Sequence, residues 1–409
     1  MALADVARPE DAGLSSLGLD GVDAGLQALI DKGELAGAVT LVARHGRVAR
    51  RRVLGLDNVE RQTTLKLDTI FRIYSMTKPV TAIAMMILHD QGLWHPDDPI
   101  AKHLPEFAGA RVFAGLGADG EAITVAADHA PTMRELMTHT AGLSYGGSEE
   151  PYDTPYKKAG IWRATSMAEF SQRIAKLPLC YQPGTKWLYS LSMDVQGAIV
   201  ERLSGETLPD FMHSRIFAPL KMVDTGFYAP PEKQARLATL YRTSKTKGLT
   251  ALNGPPMMGM GDNLSPPKVP GGGGGLVSTL DDYSRFAQML LNKGELDGVR
   301  IVSPAAIALM SANHLPDWML EAGFGVGSMQ IRPGFGYGFN CAVFTDPDKA
   351  GLPVGQGTFE WDGAAGTWFW VDPKNDLIFV GMIQRFATAP GYVNAQQLTQ
   401  KLLADAIMG

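Results

Sequence analysis

The stretch from Val80 to Leu88 constrains this chain most. Its apolar residues fall on nearly every face of a helix, so it calls for a lobe thick enough to surround it. Gly92 supplies a C-terminal stop, and Pro79 falls in the first turn, where its missing NH costs little. Directly ahead stand Ser75, Met76, Thr77 and Lys78. Positions i and i+3 of a helix share a face, so the Lys78 amine can sit beside the Ser75 hydroxyl and take its proton. That pattern is an acyl-transfer nucleophile with its own base; equally, a Ser and a Lys at the end of a core helix can simply cap and solvate it.

The same S-x-x-K spacing recurs at Ser244 to Lys247 and at Ser265 to Lys268. Both lie in Thr/Lys/Gly-rich or Pro-rich stretches with no helical pattern to fix their geometry, and both read as loop.

A chain of 409 residues exceeds the size at which one core stops growing, roughly 250 to 300 residues, so two lobes are expected. With 37 basic and 42 acidic residues the net charge is -5, which excludes a basic nucleic-acid binder. Residues 1–8 lack the basic and apolar regions of an export signal, and no run is long enough for a membrane span. Two cysteines, Cys180 and Cys341, cannot form a disulfide framework and read as free thiols in a reducing compartment. The expected location is cytoplasmic.

Periodicity predicts a first helix over 21–32, then a hairpin of strands 39–43 and 48–54 around His45-Gly46. Near the C-terminus, strands 367–371 and 377–382 flank the turn 372–376, and a last helix spans 394–407. Helical patterns at 133–139, 167–176, 193–203 and 281–292 occupy the middle. Strand-rich ends around a helix-rich middle predict an α+β fold. One sheet is built from both chain ends and covered by terminal helices, with a mainly helical insert. The expected division is 1–74 with 265–409 for the sheet domain and 75–264 for the helical one, with the active site between them.

Two long irregular stretches, 143–162 and 253–275, are of a length usually reserved for function. The second carries Met257, Met258 and Met260 and ends in Gly271–Gly275. It reads either as a flexible linker or, by the adaptable contact methionine offers, as a wall of a binding cleft.

Acyl transfer also needs an acid for the leaving group and donors for the oxyanion. Tyr189, in the Tyr189-Ser190-Leu191 loop ahead of the 193–203 helix, is the candidate acid, or else a core tyrosine with a satisfied hydroxyl. Trp361, Asp362 and Gly363 end a strand-like run; a glycine there lets backbone approach a ligand, and the NH of Ala364 could point into the cleft, unless the feature is a plain bulge.

Taken together, Ser75-Met76-Thr77-Lys78, Tyr189-Ser190-Leu191 and Trp361-Asp362-Gly363 resemble the three signature motifs of serine esterases with the class C β-lactamase fold, often called family VIII carboxylesterases. The stretches 136–144 and 273–279 are also similar to that superfamily. The resemblance implies a β-lactamase/transpeptidase-like fold, Ser75 as nucleophile, Lys78 and Tyr189 as proton-transfer groups, and the NH groups of Ser75 and Ala364 as the oxyanion hole. Trp361, Gly363, Leu191 and Tyr145 would contact substrate. It implies no cofactor and a small-molecule ester as partner. True β-lactamases carry an asparagine where this chain has Leu191, and Lys-Thr-Gly where it has Trp361-Asp362-Gly363. Loss of that lysine disfavours anionic substrates and favours neutral short-to-medium acyl esters. Acyl transfer to an alcohol, or weak β-lactamase activity, is the alternative.

Tyr152, Tyr156 and Trp162 either join Tyr145 in lining the substrate pocket or are exposed loop aromatics. Gly142 to Gly146 matches the G-x-S-x-G nucleophile elbow, but a helical pattern precedes Ser144 where the elbow needs a strand. His139 reads as structural, and the histidines show no metal-ligand spacing.

Overall fold

The computed structural model of the protein describes residues 3–244, 248–252, 261–326, 329–331, 333–387 and 393–408. Met257, Met258 and Met260 lie outside the described residues. Among the described residues the main sheet has nine strands. Its path runs Ala4–Asp5, Arg47–Asn58, Gly37–Arg44, Leu377–Met382, Trp368–Asp372, Phe359–Asp362, Ala342–Phe344, Phe335–Tyr337, and the ninth strand, Thr63–Thr64, pairs with Arg47–Asn58 off this path. The two chain ends meet at its centre, where Val380 pairs with Leu41 and Met382 with Val39. The pairing along this path is antiparallel except that Ala4–Asp5 joins Arg47–Asn58 in parallel at the edge.

Alternation along Leu377–Met382 shows why this strand reads as an unbroken apolar run. Leu377 and Phe379 pack with Leu19, Val22, Leu26 and Leu403, beneath the helices Ser16–Asp31 and Ala395–Ala404. Ile378, Val380 and Met382 face the other core, with Tyr283 and Phe286 of the Leu280–Leu291 helix. A strand buried on both faces has no polar side to alternate with.

The first helix starts earlier than its periodicity suggests, at Ser16, with the Ser15 hydroxyl accepting from the Gly18 NH. Gly18 and Gly21 weaken the helical signal. A Cβ on Gly18 would lie 2.4 Å from Ala406 Cα, so the glycine is there for close approach of the chain's last turn. Such a requirement is tertiary and invisible locally.

The apolar segment forms the helix Thr77–Asp90, and the middle of the chain also supplies helices Met167–Ala175, Ser192–Ser204 and Leu208–Met212. Val80 and Ala82 to Met86 are fully buried, as the all-round pattern requires. The middle is not purely helical. An antiparallel hairpin, Arg111–Leu116 with Ala122–Ala126, sits within it, and Tyr241–Ser244 pairs in parallel with Arg385–Ala387 from the far end of the chain. The hairpin was not legible because Leu116, Ile123 and Val125 are exposed, so no buried face imposed a period.

Candidate active site

Ser75 lies in a single 3-10 turn, Tyr74–Met76, that runs straight into the Thr77–Asp90 helix. The tighter winding brings residues i and i+3 into line. Lys78 Nζ stands 3.1 Å from Ser75 Oγ and donates at 2.6 Å to the Gly273 carbonyl. The lysine side chain is wholly buried, so desolvation pulls its pKa down from the ordinary lysine range to about 7, against the opposing fields of Asp194 and Asp362. A lysine near neutrality can serve as a base at physiological pH.

Tyr189 follows the turn at Pro183-Gly184 and an irregular stretch through Trp187, and it leads into the Ser192–Ser204 helix. Its hydroxyl donates to Ser75 Oγ at 2.6 Å, and Lys78 Nζ sits 4.4 Å from its ring centre. Burial pushes the phenol well above its ordinary value, so near neutrality it carries its proton. Ser75 Oγ therefore meets both an amine that titrates near neutrality and a protonated phenol.

Aromatic rings wall this centre. Tyr145, Trp187, Trp361 and His139 all lie within 6.0 Å of the Tyr189 ring, centre to centre. The Trp361 indole NH lies close enough to the phenol oxygen to favour its ionised form, yet falls outside hydrogen-bond geometry and has no acceptor among the described residues. His139 Nδ1 accepts from the Ser190 NH, and burial beside Lys78 pushes its pKa well below the histidine range. It braces the Tyr189 loop as a neutral ring.

The NH groups of Ser75 and Ala364 are the two that the sequence expects to hold an oxyanion. Ser75 occupies the first turn of its helix, where NH groups have no intrahelical acceptor. Ala364 is exposed at the tip of the turn between Phe359–Asp362 and Trp368–Asp372. Neither NH has an acceptor among the described residues. Gly363 fixes that turn, donating to the Thr367 carbonyl at 2.7 Å, and Thr367 Oγ1 in turn reaches Ile73 O, two residues before Ser75.

A profile of the beta-lactamase family matches residues 22–403. The chain belongs to the beta-lactamase family. Among proteins of known sequence it is 37% identical over 373 residues to the protein Rv1367c of Mycobacterium tuberculosis, covering 90% of each chain. It is 34% identical over 364 residues to esterase EstB of Burkholderia gladioli, covering 84% of each. Among solved structures, EstCE1, a hydrolase with promiscuous acyltransferase activity, superimposes with a TM-score of 0.76 at 28% identity, over 96% of this chain and 98% of that one. The chain is a serine hydrolase with the β-lactamase/transpeptidase-like fold.

Within this beta-lactamase-family scaffold, some sequence expectations need correcting. Gly363 does not clear room for a ligand: a Cβ there would lie 2.4 Å from the Ile73 carbonyl, so the glycine serves the packing of its turn on the chain that leads to Ser75. Leu191 is wholly buried in the main core and offers a substrate no surface. Tyr156 is buried, and Tyr152 packs on Tyr181, so neither is an exposed loop aromatic. Trp162 packs on Phe170 and lines a cavity of about 510 Å³, open mouth included, bordered also by Asp194, Phe227, Asn263, Val269 and Gly274. Ser144 is no elbow nucleophile; its hydroxyl donates to the buried Asp153 carboxylate.

The described part of the 253–275 stretch borders the Trp162 cavity through Asn263, Val269 and Gly274, and its glycine run is held by hydrogen bonds. Gly272 O accepts from Thr81 Oγ1 at 2.7 Å, Gly273 O from Lys78, and a Cβ on Gly272 would lie 2.4 Å from the Met193 carbonyl. The run lets backbone wedge between two helices and reach the lysine. Sequence reasoning gave no role to Gly273, nor to Asp194 and Asp362, both carboxyls raised by burial and both coupled to the lysine's field. Five glycines abutting the apolar Leu276-Val277 pair were the available signal.

Among the described residues no cluster of three or more His, Cys, Asp or Glu is arranged to hold a metal ion, and no helix is long and apolar enough to cross a membrane.

Proposed function

We propose that this protein is a serine carboxylesterase of the family VIII type, acting on neutral short-to-medium acyl esters through an acyl-enzyme on Ser75. The observation that carries the reading is Ser75 Oγ held by Lys78 Nζ at 3.1 Å and Tyr189 OH at 2.6 Å. Neutral Lys78 takes the Ser75 hydroxyl proton as Oγ bonds to the ester carbonyl carbon, whose oxygen becomes an anion held by the NH groups of Ser75 and Ala364. Collapse breaks the bond to the alkoxy oxygen. That oxygen takes the Tyr189 proton, and the phenolate recovers one from the Lys78 ammonium that lies against it. Water repeats the sequence on the acyl-enzyme and releases the acid.

Trp361 and Tyr145 form the aromatic wall beside the reacting oxygen, an apolar surface suited to an uncharged acyl chain. The site lies between the sheet body, 1–74 with 265–409, and the helical body, 75–264. The buried free thiols Cys180 and Cys341 fit a reducing, cytoplasmic setting. The names esterase EstB and, at 30% identity, lovastatin esterase of Penicillium rubens support ester chemistry. A second reading, acyl transfer to an alcohol, is favoured by EstCE1 and by acyltransferase mokF of Monascus pilosus, 28% identical over 72% of this chain.

The test is a side-by-side comparison of kcat/KM for p-nitrophenyl butyrate and nitrocefin, with product analysis in the presence of an added alcohol. An advantage of roughly 10²-fold or more for the ester is expected, about 2.7 kcal/mol of transition-state stabilisation. Equal efficiency would replace the esterase reading by a β-lactamase one, and preferential alcohol acylation by a transferase one.

A further inference from the structure

Asp194 has no role in the reaction as described so far, yet its surroundings tie it to the base. It lies in the first turn of the Ser192–Ser204 helix with only 1% of its surface exposed. Its Oδ1 accepts from the Gly273 NH at 3.0 Å, and the Gly273 carbonyl is the acceptor for Lys78 Nζ. Gly273 is thus pinned on one side by the carboxylate and on the other by the amine. Oδ2 has no hydrogen-bond partner among the described residues, nor does the Tyr145 hydroxyl. Both atoms lie 2.8 Å from where a Cβ on Gly273 would stand, so an uncommitted carboxylate oxygen and an uncommitted phenol border the same small space next to the base.

We propose that Asp194 is a positioning residue of the acyl-transfer centre. Through Gly273 it fixes the Lys78 amine against Ser75 Oγ, and its negative charge sets the protonation balance of that amine. The proposal rests on the Ser75–Lys78 reading above. The groups facing Lys78 from the elements around it are Ser75 on its own helical segment, Tyr189 and His139, Tyr145 from the 143–162 loop, Asp362 from the sheet, and Asp194. Asp194 and Asp362 are the anions in that set, and Asp194 alone also holds the peptide that receives the lysine. Its field favours the ammonium, opposing the desolvation that favours the free amine.

Two conservative variants separate position from charge. Asp194→Asn keeps an acceptor for the Gly273 NH and removes the charge. The acid limb of kcat/KM against pH is expected to move to lower pH by about one unit or more, with the plateau little changed. Asp194→Glu keeps the charge and displaces the acceptor. The limb should stay in place while the plateau falls by roughly 10-fold or more, the scale of a misplaced catalytic group. Either variant, if folded by circular dichroism, decides the matter. An unmoved limb in Asp194→Asn, or an undiminished plateau in Asp194→Glu, overturns the proposal.

The same pH series is run on the rate at which a fluorophosphonate labels Ser75, which involves no ester. An Asp194-dependent labelling profile in a protein that hydrolyses no ester would sink the esterase reading and leave Asp194 in its role. Brisk ester hydrolysis with a profile indifferent to Asp194 would do the reverse.

Discussion

The Tyr189 hydroxyl donates to Ser75 Oγ across 2.6 Å, although the two residues stand 114 positions apart in the chain. Lys78 Nζ meets the same oxygen at 3.1 Å. One oxygen with two proton-handling partners makes a single relay, so losing either partner should cost nearly as much as losing both. Tyr189→Phe and Lys78→Ala are each expected to lower kcat by roughly 10²-fold or more, with the double variant far short of the product of the two. Steady-state kinetics on the three variants checks this, and a near-wild-type Tyr189→Phe would remove the phenol from the reaction.

The pH dependence follows from burial. Lys78 works as the free amine, and its pKa is pulled down to about 7, so kcat/KM should rise through that region and then level off. Tyr189 works as the protonated phenol, and burial moves its loss of the proton well above the usual tyrosine range. The plateau should accordingly extend into alkaline pH, with no fall near the normal tyrosine pKa. A profile that drops as pH rises through neutrality would assign the base wrongly.

Ser144 offers the sharpest contrast with Ser75. Its hydroxyl is committed to Asp153 and to the Gly146 NH, so Ser144→Ala should keep most turnover while losing stability, by about 1–3 kcal/mol for a buried carboxylate left short of a donor. Activity and denaturant unfolding measured on one preparation would separate the two effects. Lost turnover in a folded Ser144→Ala protein would reopen the elbow.

How far the sequence spoke for itself depended on whether the deciding contacts were local. Ser75 and Lys78 share one turn, and their helix announced its burial through its composition, so both could be read directly. Tyr189 and Trp361 could be singled out only as motif members, because loop residues carry no periodicity. Asp194 escaped altogether, and Asp362 and Gly273 entered only as members of motif stretches, with no role assigned. Their roles arise from the lysine's field and from backbone packed against backbone, neither of which leaves a pattern in the chain. Gly363 showed the opposite failure: the need for a glycine was legible, but its neighbour was the Ile73 carbonyl and not a ligand.

Gly273→Ala tests that packing. Its methyl would stand 2.8 Å from both Asp194 Oδ2 and the Tyr145 hydroxyl, and the backbone carbonyl that holds Lys78 would have to move. A loss of roughly 10-fold or more in kcat is expected, without comparable loss in far-ultraviolet circular dichroism. Full activity would mean that the lysine does not need this anchor.

Trp361→Lys bears on substrate class. A cation beside Tyr189 should raise nitrocefin turnover relative to p-nitrophenyl butyrate, narrowing the gap by roughly 10-fold. Only 7% of Trp361 is exposed, and it packs on Tyr189 and Tyr337, so the same change should lower the melting temperature. An unaltered substrate ratio in the folded variant would show that this position does not set specificity.

The central claim, that Ser75 is the acylated nucleophile, is tested most directly by peptide mass spectrometry after treatment with a serine-directed phosphonate. The added mass is expected on the peptide that contains Ser75, and Ser75→Ala should abolish both labelling and ester hydrolysis while the fold survives. Label on the peptide containing Ser144, or hydrolysis undiminished in Ser75→Ala, would contradict the account.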